Sequence, residues 1–207
     1  MNFLAHLYLS PANPGIIFGN FIADAVKGKD FSRYPAEVQQ GIEFHRFIDY
    51  TTDKHPVFMR ACERLRPFTG RFAAVSVDII FDHFLAANWC KYSNEPLSDF
   101  ASQCYHVVEE WQEWLPPKAA RTFYYMKLNN WLINYADKAF LERVFKGMSG
   151  RVSRGELMLN SFDALNGNYS LLQEDFSDFF PELCEAVANY KFWLNGHFSG
   201  CNSVKLQ

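Results

Sequence analysis

Apolar residues recur along most of the chain three and four positions apart, which is the pattern of amphipathic α-helices. After Pro35, whose fixed φ suits a first helical turn, Val38, Ile42 and Ile48 fall on one side of a predicted helix. Residues 72–92 are apolar nearly all round, so they predict a central helix packed beside the first. With a typical helix of about 11 residues, we expect an all-α protein of roughly seven to nine helices.

The chain length predicts one domain. Its 207 residues are enough for a single substantial core, which we place at residues 1–196, and residues 197–207 are expected to form a mobile tail. The N-terminal run is apolar but lacks a basic segment and contains His6, so it is interpreted as part of the fold.

Composition excludes several classes of protein. Apolar residues make up 49% of the chain, which argues against disorder, and no apolar run is long enough to cross a bilayer. A formal net charge of -3 gives no case for nucleic-acid binding. The five cysteines are scattered and form no CxxC motif, which favours reduced core thiols in a cytoplasmic protein. Oligomeric state is left open.

Two short stretches carry acids and histidines at helical spacing. His45 and Asp49 are four residues apart, as are Asp78 and Asp82, so each pair lies on one face of its helix. Both pairs have strongly apolar neighbours, and unpaired ionised groups are costly to bury. Two such faces turned toward one core predict a shared divalent cation.

Simpler interpretations compete with this one. His45 and Asp49 form an ordinary intrahelical pair in one alternative, and Asp53 with His55 caps the helix that begins at Pro56 in another. Taken singly, Asp24 in GNFIAD is more typical of a surface acid and His6 of a core histidine. Asp78 and Asp82 are harder to dismiss, because two carboxylates on an apolar helix repel unless a cation, a proton or an arginine lies between them.

Other catalytic motifs are absent from the sequence. It has no GxSxG, P-loop, HExxH or GxGxxG after a strand, and no cysteine has a convincing histidine partner. The remaining interpretations are metal-assisted hydrolysis and a protein without catalytic activity.

The order of these motifs resembles the acyl carrier protein phosphodiesterase family. NFLAHL, GNFIAD, YP..V..GI..HR.ID..TD and VDI..DHFL carry the likeness, which is close over roughly the first ninety residues. The resemblance implies a helical bundle distantly similar to HD-domain metal phosphohydrolases. It also implies hydrolysis of the phosphodiester joining 4'-phosphopantetheine to a serine of holo-acyl carrier protein, with a divalent cation, typically Mn²⁺, although Mg²⁺ or Fe²⁺ would also serve.

The HD ligand set does not transfer by position. An HD domain carries a His-Asp dipeptide, whereas this chain has Asp82-His83 in the reverse order. Site assignments therefore rest on helical spacing. The predicted metal ligands are Asp24, His45, Asp49, Asp78 and Asp82. The predicted catalytic groups are His6, Asp53, His55 and His83, of which the histidines are candidates for protonating the leaving serine.

An acidic carrier needs a basic docking surface on its enzyme. Two basic clusters are candidates, the first around Arg60 and Arg64 and the second, with Arg143 and Lys146, around Arg151 and Arg154. Ordinary solvated basic surface is the alternative for each. A helical phosphohydrolase of a nucleotide or other small phosphoester, and a helical interaction protein whose acids pair with arginines, are the alternative functions.

Overall fold

The computed structural model describes residues 1–150 and 153–200, with side chains up to residue 190. Within those ranges the chain forms eleven α-helices, five short 3-10 helices and no strand, so the predicted all-α class is confirmed. The α-helices are α1 (Phe3–Leu9), α2 (Pro14–Ile22), α3 (Ala36–Lys54), α4 (Pro56–Thr69), α5 (Ala73–Ala87), α6 (Leu97–Glu110), α7 (Pro117–Leu128), α8 (Trp131–Asn134), α9 (Lys138–Ser149), α10 (Asn160–Gly167) and α11 (Tyr169–Gly200). The 3-10 helices are Ala23–Ala25, Gly70–Phe72, Trp89–Lys91, Gln112–Trp114 and Gly155–Leu159.

The described residues contain more α-helices than the sequence predicts, because several helices are too short to show a hydrophobic period of their own. Residues 118–147 hold three helices, since Asn130 adopts a left-handed conformation (φ 47°) that ends the α7 segment before α8. At the other end, the backbone of α11 continues to Gly200, past the predicted domain limit at residue 196. Residues 201–207, most of the expected tail, lie outside the described residues.

Helices α2 and α3 meet through two glycines. A Cβ on Gly19 would overlap the carbonyl oxygen of Val38, and a Cβ on Gly41 would overlap that of Ile16. Only glycine permits the two backbones to approach this closely. The contact matters for the site because Asn20 follows one of these glycines and His45 lies one turn after the other.

Helix α5 is buried along most of its length, as its composition predicts. Ile80, Phe81 and Phe84 are fully buried, and the ring of Phe81 lies 5.4 Å from those of both Phe176 and Phe179 on α11. Edge and tilted ring contacts of this kind add to the stabilisation from burial. Within the described residues, no helix combines the length and apolarity needed to cross a bilayer.

The prediction that α3 and α5 pack directly side by side is wrong. The main partner of α3 is α2, and the main partner of α5 is α4. The short helix α1 links them instead, because it contacts Asp82 of α5 through its backbone and Asp49 of α3 through His6. The expected core thiols are found at Cys62 and Cys104, whereas Cys90 is exposed.

We predict that Gly41→Ala destabilises the protein by about 1–3 kcal/mol, because the new methyl group must push α2 away from α3. For a chain of this size, thermal melting should fall by roughly 2–4 °C per kcal/mol. The matched control is Gly167→Ala on α10, where a Cβ meets nothing within 4 Å. Equal melting temperatures for the two variants would contradict close α2–α3 packing.

Candidate metal centre

Two histidines from different helices stack in the interior. The rings of His6 on α1 and His45 on α3 have centroids 4.0 Å apart and are inclined by 16°. Both residues are buried, and Asp49 follows His45 by one helical turn with a half-exposed carboxylate. The structure thus brings together His45 and Asp49, which were predicted as ligands, with His6, which was predicted as a catalytic group.

Asn20 fixes the orientation of both rings. Its Nδ2 donates to the carbonyl oxygen of His6 (2.7 Å) and to Oγ of Ser10 (2.8 Å), which leaves Oδ1 as an acceptor. That oxygen lies 3.1 Å from Nδ1 of His6 and 2.9 Å from Nδ1 of His45. Each imidazole must therefore carry a proton on Nδ1, and each presents its Nε2 to the opposite side.

The two Nε2 atoms converge on one carboxylate. Nε2 of His6 is 3.1 Å from Oδ1 of Asp49, and Nε2 of His45 is 3.1 Å from Oδ2. The exposed carboxylate of Asp24 reaches within 3.4 Å of the same His45 nitrogen. In neutral rings these nitrogens would point lone pairs at anionic oxygens, so the arrangement requires a proton or a metal ion between them.

Without metal, a proton on His45 meets this requirement at the Nε2 of His45. Burial lowers the pKa of His45, but hydrogen bonds to Asp24 and Asp49 outweigh that effect and raise it to about 9. Burial and the neighbouring His45 charge lower the pKa of His6 to about 4. Burial acts to raise the pKa of Asp49, yet its hydrogen bonds to the two histidines leave it well below its usual range. The metal-free cluster is therefore one imidazolium, one neutral imidazole and two carboxylates. The Nε2 lone pair of the neutral His6 still faces Asp49 and the carbonyl oxygen of Met1, each 3.1 Å away, so the requirement at His6 is left for a cation.

The same donor set fits a divalent cation. Ligand atoms of His6, His45 and Asp49 all lie within 4.8 Å of one another, and among the described residues no other His, Cys, Asp or Glu group meets this spacing. Imidazole nitrogens and carboxylate oxygens suit first-row divalent metals. Asn20 supplies the outer hydrogen bond that ligating histidines typically make, which orients the rings and fixes their tautomer.

Asp78 and Asp82 do not join this cluster, so their assignment as ligands stays a prediction that this geometry does not favour. The carboxylate of Asp82 is fully buried and accepts hydrogen bonds from the backbone N–H groups of Leu4 (2.7 Å) and Ala5 (3.2 Å). Asp78 lies 2.7 Å from the amino group of Met1. Both acids therefore bind donors at the start of α1, where backbone N–H groups lack helical partners and favour a nearby negative charge. Burial raises the pKa of Asp82 to about 7 against the opposing effect of those N–H donors.

Three further candidates are not part of this cluster. His55, rather than Asp53, caps α4: its Nδ1 accepts from the N–H of Val57, and its Nε2 pairs with Glu182 at 3.1 Å. Asp53 is exposed near the end of α3. His83 uses both nitrogens elsewhere, since Nδ1 donates to the carbonyl oxygen of Tyr135 (2.8 Å) and Nε2 lies 2.9 Å from the Tyr169 hydroxyl.

The arginines of the first basic cluster form ion pairs within the protein. The Nε atoms of Arg60 and Arg64 both donate to the buried carboxylate of Asp175, at 2.7 and 2.8 Å. Their role in docking stays a prediction, but charge reversal there would also leave Asp175 unpaired. Arg154 is exposed, and Arg151 lies outside the described residues.

Asn20 is the site residue that the sequence interpretation missed. The signal was its spacing, because Asn20 precedes Asp24 by four residues within the quoted GNFIAD motif. An uncharged amide in an apolar segment gave no reason to suspect that it orients two imidazoles from different helices.

Fold and site together define an all-α protein with a cluster of two buried histidines and one half-exposed aspartate. A family model described as acyl carrier protein phosphodiesterase matches residues 1–183, and the chain belongs to this family of hydrolases. It is similar to proteins named acyl carrier protein phosphodiesterase from Enterobacter sp. (strain 638), 35% identical over 91% of this chain and 98% of the relative, and from Photorhabdus laumondii, 35% identical over 93% and 98%. No solved structure matches significantly, so the HD-like detail of the fold stays a prediction.

We predict that Asp82→Ala lowers the stability of the protein by about 2–4 kcal/mol, because two buried N–H groups lose their acceptor. If Asp82 were only a metal ligand, its removal would instead relieve repulsion with Asp78 and leave the metal-free protein as stable or more stable. Thermal unfolding without metal measures the effect. Asp163→Ala, at an exposed helical position, serves as the control. A melting temperature for Asp82→Ala at or above that of the wild type would contradict the anchoring role.

We also predict that the metal-free protein loses stability as pH rises from about 6.5 toward 9. The pKa of His45 is raised on folding, so its contribution is complete below the unfolded value of 6.5 and is lost as pH passes the folded value of about 9. Melting temperatures in EDTA across this range measure it. His45→Gln should flatten the decline and His106→Gln, at an exposed histidine, should not. An identical decline in all three proteins would contradict the assigned cluster.

Proposed function

We propose that the protein is a divalent-metal-dependent phosphodiesterase that hydrolyses the bond between 4'-phosphopantetheine and the serine of holo-acyl carrier protein. Family membership and the names of the relatives support the carrier as substrate. The single structural observation that supports hydrolysis is the convergence of two Asn20-oriented imidazoles on Asp49. Mn²⁺ is the preferred ion, with Mg²⁺ or Fe²⁺ as alternatives.

His6, His45 and Asp49 would hold the ion, with Asp24 beside them. A bound divalent ion supplies Lewis acidity toward a phosphoryl oxygen and lowers the pKa of water. The role of His6 changes accordingly, from the catalytic proton donor of the sequence hypothesis to a ligand. Asn20 acts as a positioning residue, because it holds both rings in the tautomer that leaves Nε2 available.

Asp24 is suited to handle the attacking water. Its side chain is 69% exposed, unlike the buried histidines, and lies at the solvent side of the cluster. There its carboxylate can accept a hydrogen bond from water and orient it toward phosphorus. The new P–O bond forms from that water, which loses a proton to solvent. The bond from phosphorus to the serine oxygen breaks, and the serine oxygen takes up a proton from solvent.

The carrier is proposed to dock on the basic face of α9. Arg143 and Lys146 are exposed there, and Arg154 is exposed beyond the end of the helix. Carriers of this class are acidic, so complementary charge would steer their approach. This face is favoured over Arg60 and Arg64, whose guanidinium groups are paired with Asp175.

Mass spectrometry of holo-carrier incubated with the protein and Mn²⁺ tests the proposal. The expected result is apo-carrier and free 4'-phosphopantetheine. His45→Ala and Asp49→Asn should each lower the rate by at least about 10²-fold, the order expected when a group central to transition-state stabilisation is removed. Both variants should also lose the rise in melting temperature that Mn²⁺ gives the wild type. His106→Ala is the matched control, because that histidine is exposed and remote in sequence from the cluster.

A wild type that leaves holo-carrier intact while hydrolysing a nucleotide phosphoester would replace the carrier with the alternative substrate. A wild type with no Mn²⁺-dependent stabilisation and full activity in chelator would remove the metal from the proposal.

A further inference from the structure

A cavity of about 430 Å³ lies beside the histidine cluster. It is bounded by the N-terminal residues, α5, and the segment from α7 to α9. A narrow cleft that contains His6 and His45 shares four wall residues with it, namely Met1, Asn2, Phe3 and Asp24. The cavity therefore starts where the cluster ends, with Asp24 at the boundary.

The cavity walls are mostly apolar with a few separated polar groups. Val75, Ile79, Phe140, Val144 and Met148 supply the apolar surface. The hydroxyl of the buried Tyr135 accepts a hydrogen bond from Asn2 at 2.9 Å. Further polar atoms of the wall come from Thr122, Asn129 and the carboxylates of Asp24 and Asp78. This composition suits a slender ligand that is largely aliphatic but carries spaced hydrogen-bonding groups.

Arg143 adds a positive charge to the wall. Its guanidinium lies 5.5 Å from the centre of the Phe140 ring, and the residue is exposed. The same cavity thus connects the cluster at Asp24 with the proposed docking face of α9.

We propose that this cavity receives the pantetheine arm of the carrier, an extended aliphatic chain with two amide bonds and a terminal thiol. The inference rests on the proposed function, because it places the rest of the substrate once the phosphodiester lies at the cluster. The volume is in the range of about 300–1,000 Å³ that small-molecule sites occupy. The apolar walls cover the methylene and methyl groups of the arm, and the separated polar groups pair with its amides.

Gly147 is a position in the cavity wall where a bulky side chain can be added without disturbing the fold. It lines the cavity on α9, and a Cβ built there meets no atom within 4 Å. A phenylalanine at this position would therefore extend into open space. Gly167 on α10 is the matched control, since a Cβ there also meets nothing within 4 Å and the residue is not part of the cavity wall.

The test is calorimetric binding of pantetheine, which lacks the phosphate and so reports the arm alone. The wild type and Gly167→Phe should bind it equally, and Gly147→Phe should bind it about tenfold or more weakly, as expected from steric overlap in a formed site. Circular dichroism and melting temperature check that each variant is folded, and Gly147→Ala, with a smaller side chain, provides an intermediate step. Equal affinity in wild type and Gly147→Phe, or no binding to wild type, would overturn the proposal.

A second ligand separates this result from failure of the proposed function. If a medium-chain fatty acid binds in a Gly147→Phe-sensitive manner and pantetheine does not, the cavity is an acyl site and the proposal is overturned. Hydrolysis of holo-carrier is measured independently. A wild type that does not hydrolyse holo-carrier would reject the proposed function. Normal hydrolysis by Gly147→Phe would reject only the location of the pantetheine arm.

Discussion

The buried carboxylate of Asp82 holds the first turn of α1, and the geometry of the site depends on that interaction. Two backbone N–H groups of α1 donate to it, and Asp78 pairs with the adjacent amino group of Met1. A seven-residue helix has few internal hydrogen bonds, so it depends on such tertiary contacts for its position. With α1 fixed on α5, His6 is held against His45. Two acids whose spacing predicts metal ligands thus hold the helix that carries His6, a proposed ligand.

The other half of the site depends on close backbone packing. Gly19 and Gly41 bring α2 onto α3, which places Asn20 within hydrogen-bond reach of His45 and, through α1, of His6. One amide oxygen thereby determines the tautomer of both rings. The converging Nε2 atoms and carboxylates then form a charge arrangement that is incomplete without a bound cation or proton. The fold therefore places atoms that need a positive charge between them at the point where catalysis is proposed.

Local pattern predicted part of this picture, and tertiary contacts decided the rest. Helical periodicity and composition identified the all-α class and the burial of α5, and the i,i+4 spacing correctly paired His45 with Asp49. The spacing of Asp78 and Asp82 was equally clear, but it does not encode which element faces them. That element is the start of α1, and the contacting residues lie 77 or 78 positions earlier in the chain. Asn20 escaped notice because its role depends on two rings brought together only by folding.

Anomalous diffraction from crystals grown with Mn²⁺ is the most direct test of the central claim. We predict a single strong manganese peak within coordination distance of Nε2 of His6, Nε2 of His45 and the Asp49 carboxylate, with Asp82 still bound to the N–H groups of Leu4 and Ala5. A peak coordinated by Asp78 and Asp82, with α1 displaced from them, would contradict the account.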